Sequence, residues 1–261
     1  MRLKVFGAIA GDVIGSAYEW NRIKTTDFPL FSESSVFTDD TVLTIATAFA
    51  IQNNQPFEKM FREFALKYPN RSYGGRFVAW IQNEKMGPYY SWGNGSAMRV
   101  SPVGFSAESE DSVLDKAKAC SEVTHNHPEG IKGAQATALA IYLCRNGKTK
   151  DEIRGRIETT FNYNLTRTLD EIRPTYSFDE SCQGTVPEAI IAFLESEDFE
   201  SAIRNAVSLG GDSDTLACIT GGIADAFYNA IPEYIISEVK NRLPKEFLKI
   251  IDEFESKYLK S

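Results

Sequence analysis

Two short stretches of the chain concentrate acids and hydroxyls in a pattern suited to oxygen-ligand chemistry. Thr38-Asp39-Asp40-Thr41 precedes an apolar run from Val42 to about Gln52. Gly210-Gly211-Asp212-Ser213-Asp214-Thr215 precedes another, from Asp214 to about Asn229. Each reads as a helix start with two carboxylates and a threonine in or beside the first turn. Acids there suit the helix dipole, and Thr38 makes a good N-cap. Capping explains one acid per helix and leaves the second in each without a purpose. If the four carboxylates converge, their repulsion calls for cations, and two divalent ions would balance four charges. Oxygen ligands without nitrogen or sulfur fit Mg2+ or Mn2+, with water completing each shell. The alternative is two independently capped helices that never meet. Either motif alone favours that alternative; the pair shifts the reading toward metal.

Other candidates are weaker taken singly. Glu19 lies between Tyr18 and Trp20, and a carboxylate beside two aromatics is more often a half-buried surface group than a catalyst. Ser91-Trp92-Gly93-Asn94-Gly95-Ser96 closes an irregular, glycine- and aromatic-rich region over residues 69–95. Long irregular segments in compact domains tend to be functional. Glycines ahead of a helix opening near Ser96 would aim backbone N–H groups at an anion, although no Walker A or dinucleotide fingerprint is present. A plain glycine-rich connector explains the same residues. His125 and His127 are the chain's two histidines. With no third histidine and no nearby cysteine, a polar role at a helix terminus suits this pair better than zinc.

The elements that must position these groups are helical throughout. Gly7, Gly11 and Gly15 recur at a spacing that lines one face of a helix over residues 3–18, which implies close helix packing. That helix also carries Asp12. Further helices are expected from Pro56 to Tyr68, over residues 109–124, from Pro128 to about Arg145, and over residues 149–161. Others should run from Pro187 to Glu195, from Phe199 to Leu209, and from Pro232 and Pro244 onward. Residues 162–184 read as irregular. No stretch shows strand alternation with hairpin turns. About a dozen helices make an all-α fold, and the whole of 1–261 reads as one domain.

Composition bounds the function class. With 28 basic and 36 acidic residues the net charge is −8, which argues against non-specific nucleic-acid binding. No window approaches the roughly 20 apolar residues of a membrane span. The N-terminus lacks the apolar stretch of a signal peptide, and the cysteines Cys120, Cys144, Cys182 and Cys218 are widely spaced. A soluble, cytoplasmic monomer is the expectation.

Taken in order, the motifs resemble the ADP-ribosylglycohydrolase family. The matching pieces are Gly7-Ala8-Ile9-Ala10-Gly11-Asp12-Val13-Ile14-Gly15-Ser16-Ala17-Tyr18-Glu19, the Thr38–Thr41 stretch, Gly93-Asn94-Gly95-Ser96-Ala97-Met98-Arg99, Thr124-His125 and the Gly210–Thr215 stretch. Each is modestly specific; the ordered set is highly so. The resemblance implies a compact orthogonal bundle with a dinuclear metal cleft. It implies metal ligands at Thr38, Asp39, Asp40, Asp212, Asp214 and Thr215, with Asp12 supporting them from behind. Ser91 to Ser96 would hold the diphosphate and proximal groups of ADP-ribose, and His125 would lie against the ligand. Glu19 matches a general acid/base near the substrate ribose, and a ligating aspartate, Asp212 or Asp214, is the other group that could activate water. Asp225 stands where a smaller residue is common.

The implied activity is metal-dependent hydrolysis at C1″ of the distal ribose, releasing ADP-ribose from a modified acceptor. An arginine side chain is the first expectation for that acceptor. Serine, another O-linked acceptor or a nucleic-acid base are alternatives. So are a non-catalytic ADP-ribose-binding module and a hydrolase of phosphoesters or other N-glycosides.

Overall fold

The computed structural model describes residues 5–258. Among the described residues, fourteen α-helices follow one another. They are α1 (Phe6–Gly15), α2 (Asp39–Gln52), α3 (Phe57–Lys67), α4 (Gly75–Gln82), α5 (Ser101–Ser106), α6 (Glu110–Glu122) and α7 (Pro128–Arg145). Then come α8 (Lys150–Phe161), α9 (Leu169–Ile172), α10 (Cys182–Leu194), α11 (Phe199–Val207), α12 (Ser213–Tyr228), α13 (Glu233–Lys240) and α14 (Lys245–Tyr258). Among the described residues there is no β-strand; one antiparallel bridge pairs Gly93 with Ser181. Among the described residues, no helix is long and apolar enough to cross a membrane.

The core is organised on α12, which is buried from Ser213 to Asp225 and has α1, α7, α10 and α11 packed around it. The α1 glycines make the closest of these contacts possible. A Cβ on Gly11 would lie 1.9 Å from the Ala217 carbonyl oxygen, and one on Gly15 2.3 Å from that of Ser213. Only bare backbone fits between the two helices. Asp225, buried on α12, accepts the Gly7 N–H at 2.9 Å and so satisfies a donor in the first turn of α1. A smaller residue there would leave that donor to find another partner. Residues 3 and 4, which the expected helix included, lie outside the described residues.

Three local expectations need correction. The irregular region over 69–95 contains α4, where Phe77, Trp80 and Ile81 bury one face and the guanidinium of Arg62 covers the Trp80 ring at 3.8 Å. Flanking glycines obscure so short a periodic run. Residues 162–184 contain α9, one turn held by a capping box between Thr168 and Glu171. The helix expected from Pro187 begins at Cys182, because Ser181 accepts the Gly184 N–H at 3.1 Å and nucleates an earlier turn. Pro187 then sits in the second turn, where it has no N–H to return to Gln183.

Candidate active site

Three chain segments deliver carboxylates to one place. The end of α1 touches the first turn of α12 at Gly15, and the chain continues through a 3₁₀ turn, Ser16–Tyr18, to Glu19. That contact sets Glu19 beside the α12 N-terminus. Oxygens of Glu19, Asp212 and Asp214 all lie within 4.8 Å of one another. The N-terminus of α2 brings Asp39 and Asp40 to the same point, and the Thr215 hydroxyl donates to Asp40 Oδ1 at 3.4 Å.

Capping does not explain these acids. Thr38 caps α2 through its own hydroxyl, which accepts the Asp40 N–H at 3.3 Å. Asp212 stands at the N-cap position of α12 without a side-chain capping bond. Asp214 accepts the adjacent Thr215 N–H, at 3.0 Å, and shares a side-chain hydrogen bond with Asp212. Oδ2 of Asp40 is buried without a hydrogen-bond partner. Among the described residues, no Lys or Arg forms an ion pair with Glu19, Asp39, Asp40, Asp212 or Asp214.

The electrostatic consequence is uniform in sign. Burial, followed by the charge of Asp214, holds the Asp39 and Asp40 carboxyls well above the usual carboxylate range. Burial, helped by the charges of Glu19 and Asp39 and opposed by hydrogen bonds from Asp214 and Asn94, pushes Asp212 up to about 6, while burial and then Asp212 hold Asp214 well above the usual carboxylate range. Glu19 is pushed up to about 7, first by burial and then by Asp214 and Asp12. An all-oxygen, cation-free cluster with an orphaned buried oxygen is a donor set that suits a hard divalent ion.

Asp12 braces this arrangement from behind. Fully buried on α1, it accepts the N–H groups of Thr38 at 2.9 Å and Thr41 at 3.1 Å, the Thr38 hydroxyl at 2.7 Å, and the Thr41 hydroxyl. All its partners are donors, so one carboxylate pins the first turn of α2. Thr38 does not line the cavity, and its hydroxyl retains one lone pair after these bonds.

The acids open into a cavity of about 510 Å³. Ser91, Trp92, Gly93, Asn94, Gly95 and His125 line it, with Tyr89 beside them. The loop is pinned to the segment before α10: Asn94 N–H donates to the Glu180 carbonyl at 2.8 Å, and Cys182 N–H to that of Trp92 at 2.9 Å. The Asn94 carboxamide donates to Asp212 Oδ2 at 2.7 Å, which ties the loop to the acids. The helix expected at Ser96 is instead a 3₁₀ turn, Asn94–Ser96, and the next α-helix starts at Ser101. Ser96 does not reach the cavity; its buried hydroxyl donates to the Gly130 carbonyl at 2.7 Å and fastens the loop to α7. Tyr90 packs against His127 at 4.7 Å between ring centroids, and His127 accepts the Glu129 N–H as the cap of α7.

Two parts of the cavity escaped sequence reasoning. Its far wall includes Ser72 and Gly74 to Arg76, at and before the start of α4. The Asp39 N–H, donating to the Arg71 carbonyl at 2.6 Å, brings that segment to the acids. The glycine pair Gly74-Gly75 was the available signal. Phe178 and Glu180 form the other part, and Phe178 stacks on Trp20 with centroids 6.2 Å apart. Nothing in the irregular sequence around them marks this placement.

Comparison with known proteins finds one family along nearly the whole chain. The family described as ADP-ribosylglycohydrolase matches residues 4–260. Human ADP-ribosylhydrolase ARH3 is 25% identical over 311 residues, covering 87% of this chain and 85% of its own. ADP-ribosylarginine hydrolase Tri1 of Pseudomonas putida (strain GB-1) is 25% identical, covering 88% of this chain and 72% of its own. A solved structure described as an ADP-ribosylglycohydrolase-related protein complex superposes with a TM-score of 0.76 at 23% identity, covering 99% of this chain and 98% of that one.

Proposed function

The chain belongs to the ADP-ribosylglycohydrolase family, and on that premise we propose that it hydrolyses the glycosidic bond at C1″ of ADP-ribose attached to an acceptor. The observation that carries this reading is Glu19 set against Asp212 and Asp214 at the end of the cavity, with a carboxyl pushed up to about 7.

We assign Thr38, Asp39, Asp40, Asp212, Asp214 and Thr215 to hold two divalent ions, Mg2+ or Mn2+. When bound, the ions supply positive charge that balances the carboxylates and orients the hydroxyls of the substrate ribose. Glu19, its carboxyl raised by burial, donates a proton to the departing acceptor as the C1″ bond breaks. Water gives its hydroxyl to C1″, and its proton returns to Glu19 or to a neighbouring aspartate. The loop from Ser91 to Ser96, with His125 beside it, holds the diphosphate side of the ligand; Asn94 and Ser96 act there by fixing the loop. Trp92 and Tyr89 supply flat apolar surface along the cavity wall.

Arginine is the acceptor we favour, since one relative carries the name ADP-ribosylarginine hydrolase. The protein would act as a single-domain monomer. Its four cysteines, all free and buried, suit a reducing compartment such as the cytoplasm.

The test is release of ADP-ribose from arginine-, serine- and nucleotide-linked substrates at fixed Mg2+, with the double variant Asp212→Asn/Asp214→Asn alongside. We expect release from the arginine-linked substrate by the wild type alone. Equal rates in wild type and variant would sink the metal-site reading, and release only from another linkage would overturn the acceptor assignment.

A further inference from the structure

Arg99 is fully buried at the end of the glycine-loop motif, with its guanidinium carbon 4.4 Å from the Phe61 ring centroid. Its Nη2 donates to the Cys120 carbonyl and to Thr124 Oγ1, each at 2.9 Å. Thr124 Oγ1 in turn lies 2.7 Å from His125 Nδ1. The His125 backbone is pinned at both ends, because its N–H donates to the Ser121 carbonyl and its own carbonyl accepts the Ser121 hydroxyl, both at 2.8 Å. The opposite ring edge faces the loop: Nε2 is 3.2 Å from where a Cβ on Gly95 would lie and 3.5 Å from one on Gly93.

Counting protons leaves two directions for this chain, and distance chooses between them. A guanidinium only donates, so Thr124 Oγ1 accepts from Arg99. A hydroxyl has one hydrogen, and the Nδ1 lone pair is the acceptor in line for it. Were Nδ1 to carry the proton, the Thr124 hydrogen would have to turn to the Tyr89 hydroxyl, which also interacts with Thr124 and can accept as well as donate. Nδ1, at 2.7 Å, makes the close contact and is the acceptor the geometry favours. We infer that Arg99 and Thr124 are positioning residues that hold His125 as a neutral imidazole with its proton on Nε2, a permanent hydrogen-bond donor facing the glycine loop.

Burial and the Arg99 charge both act against protonation of the ring and hold His125 well below the usual imidazole range. A charged donor at the head of the chain polarises each bond after it, so Nε2–H is a stronger donor than an isolated imidazole. His125 is therefore no general base. The ligand atom it meets is an acceptor, such as a phosphate or ribose oxygen; this binding consequence rests on the ADP-ribose reading above, whereas the tautomer does not.

Two histidines make the test clean. Long-range 1H–15N correlation of 15N-histidine-labelled, ligand-free protein reads the tautomer directly, with His127→Asn assigning the signals. We expect His125 in the Nε2–H form throughout the range from about pH 5.5 to 8. Thr124→Val should give mixed tautomers and weaken ADP-ribose binding about tenfold, and Thr124→Ser should restore both. An Nδ1–H or charged His125 in the wild type overturns the inference, as does a folded Thr124→Val with an unaltered tautomer. Wild type that fails to bind ADP-ribose would sink the proposed function and leave the tautomer arm to decide this inference.

Discussion

Thr215 donates its hydroxyl to Asp40 at 3.4 Å across 175 positions of sequence, and so joins the first turns of two helices that each carry acids. Two helix N-termini aimed at one point add their partial positive charges, which only partly offsets the carboxylates gathered there. Asp214→Asn removes one of these charges. The metal-free variant should gain about 1–2 kcal/mol, or roughly 2–6 °C in Tm. Hydrolysis should fall by about 10²–10³ or more. Thermal melts in chelator and rates in Mg2+ measure the two effects; a metal-free variant that melts below the wild type refutes the repulsion account.

Stability of the metal-free protein should depend on pH with a definite sign. The carboxyls of Asp12, Asp39, Asp40, Asp212, Asp214 and Glu19 are all raised on folding, Glu19 to about 7. Between their unfolded values, about 4, and the raised folded ones, the native state binds more protons than the unfolded chain. Stability is then present at low pH and is lost as pH rises from about 4, through about 6 for Asp212 and about 7 for Glu19. Urea midpoints in chelator should fall across that window, and saturating Mg2+ should flatten the profile. A midpoint that climbs instead contradicts the assignment.

Glu19→Gln keeps the shape of the site and removes the transferable proton. We expect kcat to drop about 10²–10⁴-fold, with ADP-ribose affinity within a few-fold of wild type. As a general acid Glu19 works protonated, so the wild-type rate falls on the alkaline side of its pKa. Bound cations pull that limb below 7, and it should vanish from the variant's pH–rate profile. A variant that keeps both the limb and the rate assigns the acid to another group.

Asp12→Asn tests the brace behind the acids. The carboxylate meets donors on every side, the N–H and hydroxyl groups of Thr38 and Thr41. An amide would turn its own N–H groups toward two of them. A loss of about 2–4 kcal/mol is expected from urea unfolding. Metal affinity should weaken about 10–100-fold by calorimetry, because α2 no longer presents Asp39 and Asp40 rigidly.

Gly11→Ala and Gly155→Ala form a matched pair. The first places a Cβ 1.9 Å from the Ala217 carbonyl oxygen, whereas the second, on α8, meets nothing within 4 Å. Gly11→Ala should lose about 3 kcal/mol or more by driving α1 from α12. Gly155→Ala should gain up to about 1 kcal/mol from helix propensity. Similar midpoints for the two would contradict the packing argument.

Much of this architecture is legible in the sequence for local reasons. Helices such as α3 and α8 follow from periodicity and from caps a few residues away, and Gly7, Gly11 and Gly15 mark a packed face by their spacing alone. The paired acids at 39–40 and 212–214 announce a charge problem that capping does not solve. Their solution is not local. That Asn94 reaches Asp212 and that Ser96 turns away from the cavity depend on distances between segments far apart in the chain. The wall at Ser72 to Arg76 enters the site only because the Arg71 carbonyl accepts the Asp39 N–H. The donor role of His125 is set by Arg99, 26 positions earlier, acting through Thr124. Residue types determined which chemistry the chain could hold; the approach of α1 to α12 across bare glycine backbone decided where those groups meet, because no sequence-local interaction acts over that separation.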